Sequence, residues 1–327
     1  MPARLLPCFP MDPESESSRH SGRDPLPGAS PRRASIADSR ATPAILLLML
    51  FAPVPAPAAQ IIEQTIEVPV QVQPNGGANV RQHIAMTIVR EAATEPRPFL
   101  VLLHGRGASQ AERTAMGLQT YPANSQYFAS MGFVVLVPTR VGYGVSGGPD
   151  VEHTGTCASK RFADGAAVAV SETRQVLAYA AGLPYVDPDH GIVVGESFGG
   201  LAAIAIASED IRGVVAAINI SGGDGGNARS RPDEPCRPDQ MRETFARYGS
   251  TNRLPTLWMY SANDRVWGPV YPKQWFAAFA QAGGRGQFVD LPADKNNGHY
   301  IFNRNAAAWH PAFESFLGKL DLVDATR

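Results

Sequence analysis

Cysteine is scarce, with three in 327 residues. Net charge is nearly absent at −1, so no global field draws the chain to nucleic acid or a membrane surface. The apolar run Ala44 to Ala52 is too short for a bilayer-spanning helix, which needs about 20 residues. No His, Cys, Asp or Glu spacing suggests a metal site. The glycine-rich stretch Ser221 to Gly226 lacks the Lys-Ser/Thr that a phosphate loop needs. No metal is therefore expected. No internal linker divides residues 60 to 327, which suits one sizeable domain.

Residues 1 to 41 are rich in Pro, Ser, Arg and Asp with no apolar period, a composition that cannot offset chain entropy. Ala44 to Ala52 then reads as the core of a secretion signal, flanked by Arg40 on its positive side. Ala56 and Ala58 fit an A-x-A cleavage site, so cleavage near Ala58/Ala59 would export residues 60 to 327. The long stretch before the run implies a start downstream of Met1 or an extended n-region, and an uncleaved anchor is the rival reading. After cleavage, Cys157 and Cys236 remain, and an even pair in a secreted or periplasmic chain predicts a disulfide.

What is present is an alternation of apolar runs and helical stretches. Ile61 to Val72 and Arg81 to Arg90 alternate around Pro74-Asn-Gly-Gly77 and read as an antiparallel hairpin. Phe99 to Leu103, Phe133 to Val137, Ile192 to Val194, Val214 to Ile220, Thr256 to Tyr260 and Gln287 to Leu291 read as strands, the continuous runs covered on both faces. Helices are expected over Asn124 to Met131, Asp164 to Ala181, Leu201 to Ala207, Tyr271 to Ala282 and Ala306 to Leu320. Such alternation predicts an α/β fold: a mostly parallel sheet, helices on both faces and an antiparallel N-terminal edge. The segment at about 222–250, with Arg229, Arg231, Arg237, Arg242 and Arg247, reads as a cap-like insertion above the sheet.

The chain is organised around Gly195-Glu-Ser-Phe-Gly199, a G-x-S-x-G match between a predicted strand and a predicted helix. Such a sharp turn would present the Ser197 hydroxyl above the sheet. A serine hydroxyl needs a base, and the base needs an acid to fix its tautomer. His20 and His83 lie away from the strand ends, His190 opens the serine strand at its wrong end, and His310 falls in a helix. His104 belongs to another loop and His153 to a polar one, which leaves His299 as the base candidate. Asp264 lies between serine and histidine at a strand end, with Asp224 and Asp290 as rivals. A tetrahedral oxyanion needs N–H donors, for which Phe198 and Arg106 are the candidates. His104, Gly105, Tyr143 and Glu196 are the candidate substrate-binding residues.

Leu103-His-Gly-Arg-Gly107, Arg140-Val-Gly-Tyr-Gly-Val-Ser-Gly147, Gly195-Glu-Ser-Phe-Gly-Gly200, Ser261-Ala-Asn-Asp264 and Gly298-His299 stand in the order of the α/β-hydrolase superfamily. The chain resembles its dienelactone-hydrolase-like and peptidase-like branches. The resemblance implies an eight-stranded sheet, a Ser197–His299–Asp264 triad and no cofactor. Dienelactone hydrolases proper use a cysteine nucleophile, and this chain has Ser197, so their substrate is not carried over. The expected reaction is hydrolysis of a small-molecule carboxylic ester. Peptide or amide hydrolysis is the alternative, and a non-catalytic binding protein on the same fold is a third reading. The arginines of the 222–250 segment would favour an anionic substrate or, more simply, form a solvated face with Asp233, Glu234, Asp239 and Glu243.

Overall fold

The computed structural model describes residues 60–320 and 322. The leader and signal expected before Gln60 lie outside them. Among the described residues, no helix is long and apolar enough to cross a membrane.

The opening hairpin forms as strands β1 (Ile61–Val72) and β2 (Val80–Glu91), paired antiparallel from Ile61↔Glu91 to Val72↔Val80. The strands β3 (Arg97–Leu103), β4 (Val134–Pro138), β5 (Val186–Glu196), β6 (Val214–Ile220), β7 (Thr256–Ser261) and β8 (Gly286–Leu291) follow. They join in one eight-stranded sheet of order β1-β2-β4-β3-β5-β6-β7-β8. The β2–β4 pair is antiparallel, and every pair from β4 to β8 is parallel.

The unbroken apolar runs have a plain cause. In β3, Phe99, Val101 and Leu103 pack on one face while Leu100 and Leu102 pack on the other. Side chains alternate across a strand, so a sheet covered twice needs apolar residues at every position. Helices α1 (Gln110–Ala115) and α2 (Pro122–Ser130) precede α3 (Phe162–Ala180) and α4 (Phe198–Ala207). The chain then adds α5 (Pro238–Thr251), α6 (Tyr271–Gln281), α7 (Ile301–Arg304) and α8 (Ala306–Leu317). The first face carries α3 to α6 through Ala166, Leu201, Phe245 and Trp275. The second carries α2 and α8 through Phe128, Trp309 and Phe313.

The short helices α1 and α7 were not expected from the sequence, and two further elements differ from the expectation. Strand β5 begins at Val186, ahead of Ile192; the early start was not legible because the stretch Asp187 to His190 is partly to fully exposed and carries no apolar signal. The segment 222–250 is not one insertion. Its second half is α5, whose Met241 and Phe245 are fully buried against the sheet. The interleaved charges of Asp239, Arg242 and Glu243 sit on the helix's outer side and hide its apolar stripe from a reading by composition. Only residues 222 to 237 remain as irregular chain.

Cys157 and Cys236 are joined by a disulfide, 79 residues apart in sequence. It ties the loop after β4 to the loop after β6. Closing a loop of that length stabilises a fold by about 4 kcal/mol in the chain-entropy account.

Candidate active site

Ser197 sits between β5 and α4 with φ 56° and ψ −121°, a backbone conformation that L-residues rarely adopt. Two glycines make the turn sterically open. A Cβ on Gly195 would lie 2.0 Å from the Gly199 carbonyl oxygen, and one on Gly199 would lie 2.1 Å from the Leu103 carbonyl oxygen. The turn is pinned from β6, since the Ser197 N–H donates to the Ile220 carbonyl at 3.0 Å and Gly223 N–H donates to the Ser197 carbonyl at 3.0 Å.

Three side chains meet at the carboxyl ends of the strands. His299 Nε2 lies 3.1 Å from Ser197 Oγ, and His299 Nδ1 lies 3.0 Å from Asp264 Oδ2. Asp264 is buried after β7 and its other oxygen accepts the backbone N–H groups of Val266 at 2.8 Å and Trp267 at 3.1 Å. That fixes the carboxylate, which orients the imidazole with Nδ1–H donating and Nε2 free to accept the serine proton. The Trp267 ring packs edge-on against His299 with centroids 5.5 Å apart. Burial alone would lower the His299 pKa, but the Asp264 charge and hydrogen bond, with a contribution from Glu196, hold it above its ordinary 6.5.

The rival acids are occupied elsewhere. Asp290 is exposed and ion-paired with Lys273 at 2.9 Å. Asp224 accepts from Thr154 and from Lys160, the latter at 3.0 Å. Among the rival histidines, His310 stacks on Tyr127 and His190 pairs with Asp187 on the surface.

Gly105 lies against the serine: a Cβ there would be 3.2 Å from Ser197 Cβ. Its loop and the start of α4 bring the Arg106 and Phe198 backbones to the mouth of the site. Among the described residues, neither of these N–H groups joins a backbone hydrogen bond outside the regular elements. The Arg106 side chain is tied away from the serine, donating to Asp150 at 2.8 and 2.6 Å and to the Tyr143 hydroxyl at 3.0 Å. Burial pushes the Asp150 carboxyl up, but the Arg106 hydrogen bond and charge, with Arg113, bring it below its usual range.

A cleft of about 760 Å³ opens over Ser197. Its walls come from Gly105 to Met116, from the loop after β4 and from Gly223 to Cys236. Glu196 lines it, but His104 and Tyr143 do not. Both are buried beneath it, where they brace the loop. Nδ1 of His104 contacts the Gly105 carbonyl at 2.7 Å, and its Nε2 accepts the Arg140 N–H at 3.1 Å. Burial and the Arg140 charge hold this imidazole well below its ordinary pKa, so it stays neutral. Tyr143 donates to Glu152, which also receives Arg140 at 2.6 Å. Position after a strand suggested substrate contact for His104 and Tyr143, but the strand end also supplies the inner layer that holds the loop.

Glu196 accepts from the Tyr121 hydroxyl at 3.0 Å and from Asn303 Nδ2 at 2.9 Å. Burial raises its carboxyl pKa, against the pull of the nearby His299 charge and these two donors. Tyr121, Asn303, Asp150 and Trp267 carry no sequence signal, because each acquires its neighbours only through the crossing of distant elements. Among the described residues, no group of three His, Cys, Asp or Glu is placed to hold a metal ion.

A family model described as the alpha/beta hydrolase family matches residues 100–324. No curated protein matches the sequence. Among solved structures, an acetyl xylan esterase from Paenibacillus sp. R4 shares 17% identity over 80% of this chain and 89% of its own, with a TM-score of 0.50. An enzyme from Klebsiella pneumoniae subsp. pneumoniae MGH 78578, assigned by name as a dienelactone hydrolase, shares 16% identity over 80% of this chain and 98% of its own, with a TM-score of 0.53. An acylaminoacyl peptidase from Pyrococcus horikoshii shares 12% identity over 79% of this chain but only 42% of its own, with a TM-score of 0.51. These likenesses are of fold. The chain belongs to the alpha/beta hydrolase family.

Proposed function

We propose that the protein is a serine hydrolase that cleaves carboxylic esters through an acyl-enzyme. The observation that carries this reading is the unbroken contact series from Asp264 Oδ2 through His299 to Ser197 Oγ, at 3.0 and 3.1 Å. Ser197 Oγ attacks the ester carbonyl as its proton passes to His299 Nε2. Asp264 stabilises the imidazolium so formed. The carbonyl electron pair moves to oxygen, and the oxyanion takes hydrogen bonds from the N–H groups of Phe198 and Arg106. Each such donor lowers the barrier by roughly 3 kcal/mol. Collapse expels the alcohol, which receives the proton from His299. Water then enters, gives one proton to His299 as its oxygen attacks the acyl carbon, and collapse releases the acid while the proton passes from His299 back to Ser197 Oγ.

The test is hydrolysis of a p-nitrophenyl ester series, acetate to palmitate, by the protein from Gln60 onward. Turnover with a chain-length optimum is the expected result. A folded protein that ignores every ester and cleaves aryl amides would move the assignment to amide hydrolysis, which the same three side chains serve.

The pH profile follows from His299. Its neutral form is the base, so kcat/KM falls as pH drops through a pKa held above 6.5 by Asp264 and Glu196. Glu196→Gln removes one of those charges, so the acid limb should shift to lower pH in that variant. An unmoved limb would show that Glu196 does not act on the base. Stability runs the other way. A folded-state pKa above the unfolded one means protonated His299 contributes stability below the unfolded pKa, and this is lost as pH rises through the folded value.

Export is part of the same proposal. The mature protein should begin at Ala59 or Gln60, and sequencing that finds residues upstream of Ala56 would reject the cleavage.

A further inference from the structure

The cleft has a charge imbalance that the triad does not use. Its carboxylates are already neutralised or held. Asp150 is bound by Arg106 and Arg113, at 2.6 and 3.2 Å. Asp224 is bound by Lys160 at 3.0 Å. Glu112 caps α1, accepting the Ser109 N–H at 3.1 Å, and Glu196 is enclosed by Tyr121 and Asn303. Two cations on the Gly223 to Cys236 wall are left over. Among the described residues, neither Arg229 nor Arg231 has a carboxylate within ion-pair distance. The one acidic side chain between Arg231 and Cys236 that makes an ion pair, Asp233, faces Arg265 at 3.2 Å.

Arg231 is also held in place. Its guanidinium donates to the Gly225 carbonyl at 3.1 Å and packs against both sulfurs of the Cys157–Cys236 disulfide. Its backbone N–H donates to the Asn227 carbonyl at 2.9 Å, and the Asn227 side chain accepts the N–H groups of Arg229 and Ser230 at 3.0 and 3.1 Å. A half-buried guanidinium fixed by neutral acceptors has lost part of its hydration without gaining a counter-charge. That is the state an incoming anion relieves, through charge-assisted hydrogen bonds. The site is tied to the serine through Gly223, whose N–H bonds the Ser197 carbonyl. By chain geometry the Arg231 guanidinium lies at most about 17 Å from that carbonyl.

We propose that the cleft selects esters carrying a second, carboxylate group, which Arg231 binds and Arg229 assists at the rim. The inference rests on the serine-hydrolase reading above and adds the substrate class. The remaining arginines of the segment, Arg237, Arg242 and Arg247, do not line the cleft. Arg242 pairs with Asp239 along α5, and Arg237 donates to the Ala158 carbonyl.

The experiment compares matched pairs of esters. One set is the mono-4-nitrophenyl half-esters of dicarboxylic acids from succinate to sebacate, each against its methyl-capped diester. The other carries the carboxylate on the alcohol: 4-carboxyphenyl against phenyl acetate and octanoate. In at least one set the anionic member should be favoured by roughly 10- to 100-fold in kcat/KM, the worth of a hydrogen bond to a charged group. The preference should shrink with rising NaCl, while the neutral rates hold. Arg231→Gln should bring the ratio of the two kcat/KM values to near one, and Arg231→Lys should restore part of it. Equal or better turnover of the neutral members by the wild-type protein in both sets overturns the inference and leaves the serine mechanism standing. No turnover of any member by the folded protein overturns both.

Discussion

Ser197→Ala should abolish ester turnover, with kcat falling by about 10⁶, equivalent to about 8 kcal/mol of barrier. On the proposed mechanism the loss is large because the serine oxygen is the atom that forms the covalent bond. The fold should survive the change. Alanine adds no atoms, and the φ of 56° at this turn is already enforced by the β6 hydrogen bonds and the two flanking glycines. Circular dichroism checks that point alongside the kinetics. A variant that is folded and retains activity within about tenfold of the wild type would remove Ser197 from the chemistry.

The second large effect is at Asp264. Asp264→Asn keeps the shape, and its side-chain oxygen can still accept from Val266 and Trp267. The amide nitrogen then faces His299 Nδ1, now 3.0 Å from the carboxylate, and presents a donor where an acceptor is needed. The imidazole answers by carrying its proton on Nε2, where it meets Ser197 Oγ as a donor and cannot take the serine proton. In a trypsin-type triad the equivalent change costs about 10⁴ in kcat, and a loss of that order is expected here. The same substitution removes the charge that holds the His299 pKa up, so the residual activity should keep its acid limb at lower pH than in the wild type. Near-normal kcat in Asp264→Asn would return the acid role to another carboxylate, and Asp224 would be the first to examine.

The sequence made the frame of this site legible because several chemical demands coincide at short spacing. A strand that must be apolar on both faces, a turn that admits only glycine on either side of a serine, and a helix of small residues behind it all fall within residues 191 to 207. His299 and Asp264 could be picked because each follows a strand and few competitors do. The sheet order was not written locally. The exchange that places β4 between β2 and β3 is set by long-range pairing, which no window of the chain records. The same limit explains His104 and Tyr143. A residue just after a strand can face the cleft or turn beneath it, and the choice is made by Arg140 and Glu152 from the next loop. It explains α5 too, where charge on the outer face masked a helix that the core needs. The role of Arg231 was least readable. Among five arginines interleaved with acids, only the folded chain separates those that find a partner from those that do not.

The central claim is that Ser197 is an activated nucleophile, and labelling with a fluorophosphonate tests it most directly. The reagent needs only an activated serine and no knowledge of the natural substrate. Intact mass followed by peptide mapping should find one phosphonyl group, on the peptide containing Ser197, and none in Ser197→Ala. A folded wild-type protein that takes up no label, or takes it up at another residue, would contradict the account.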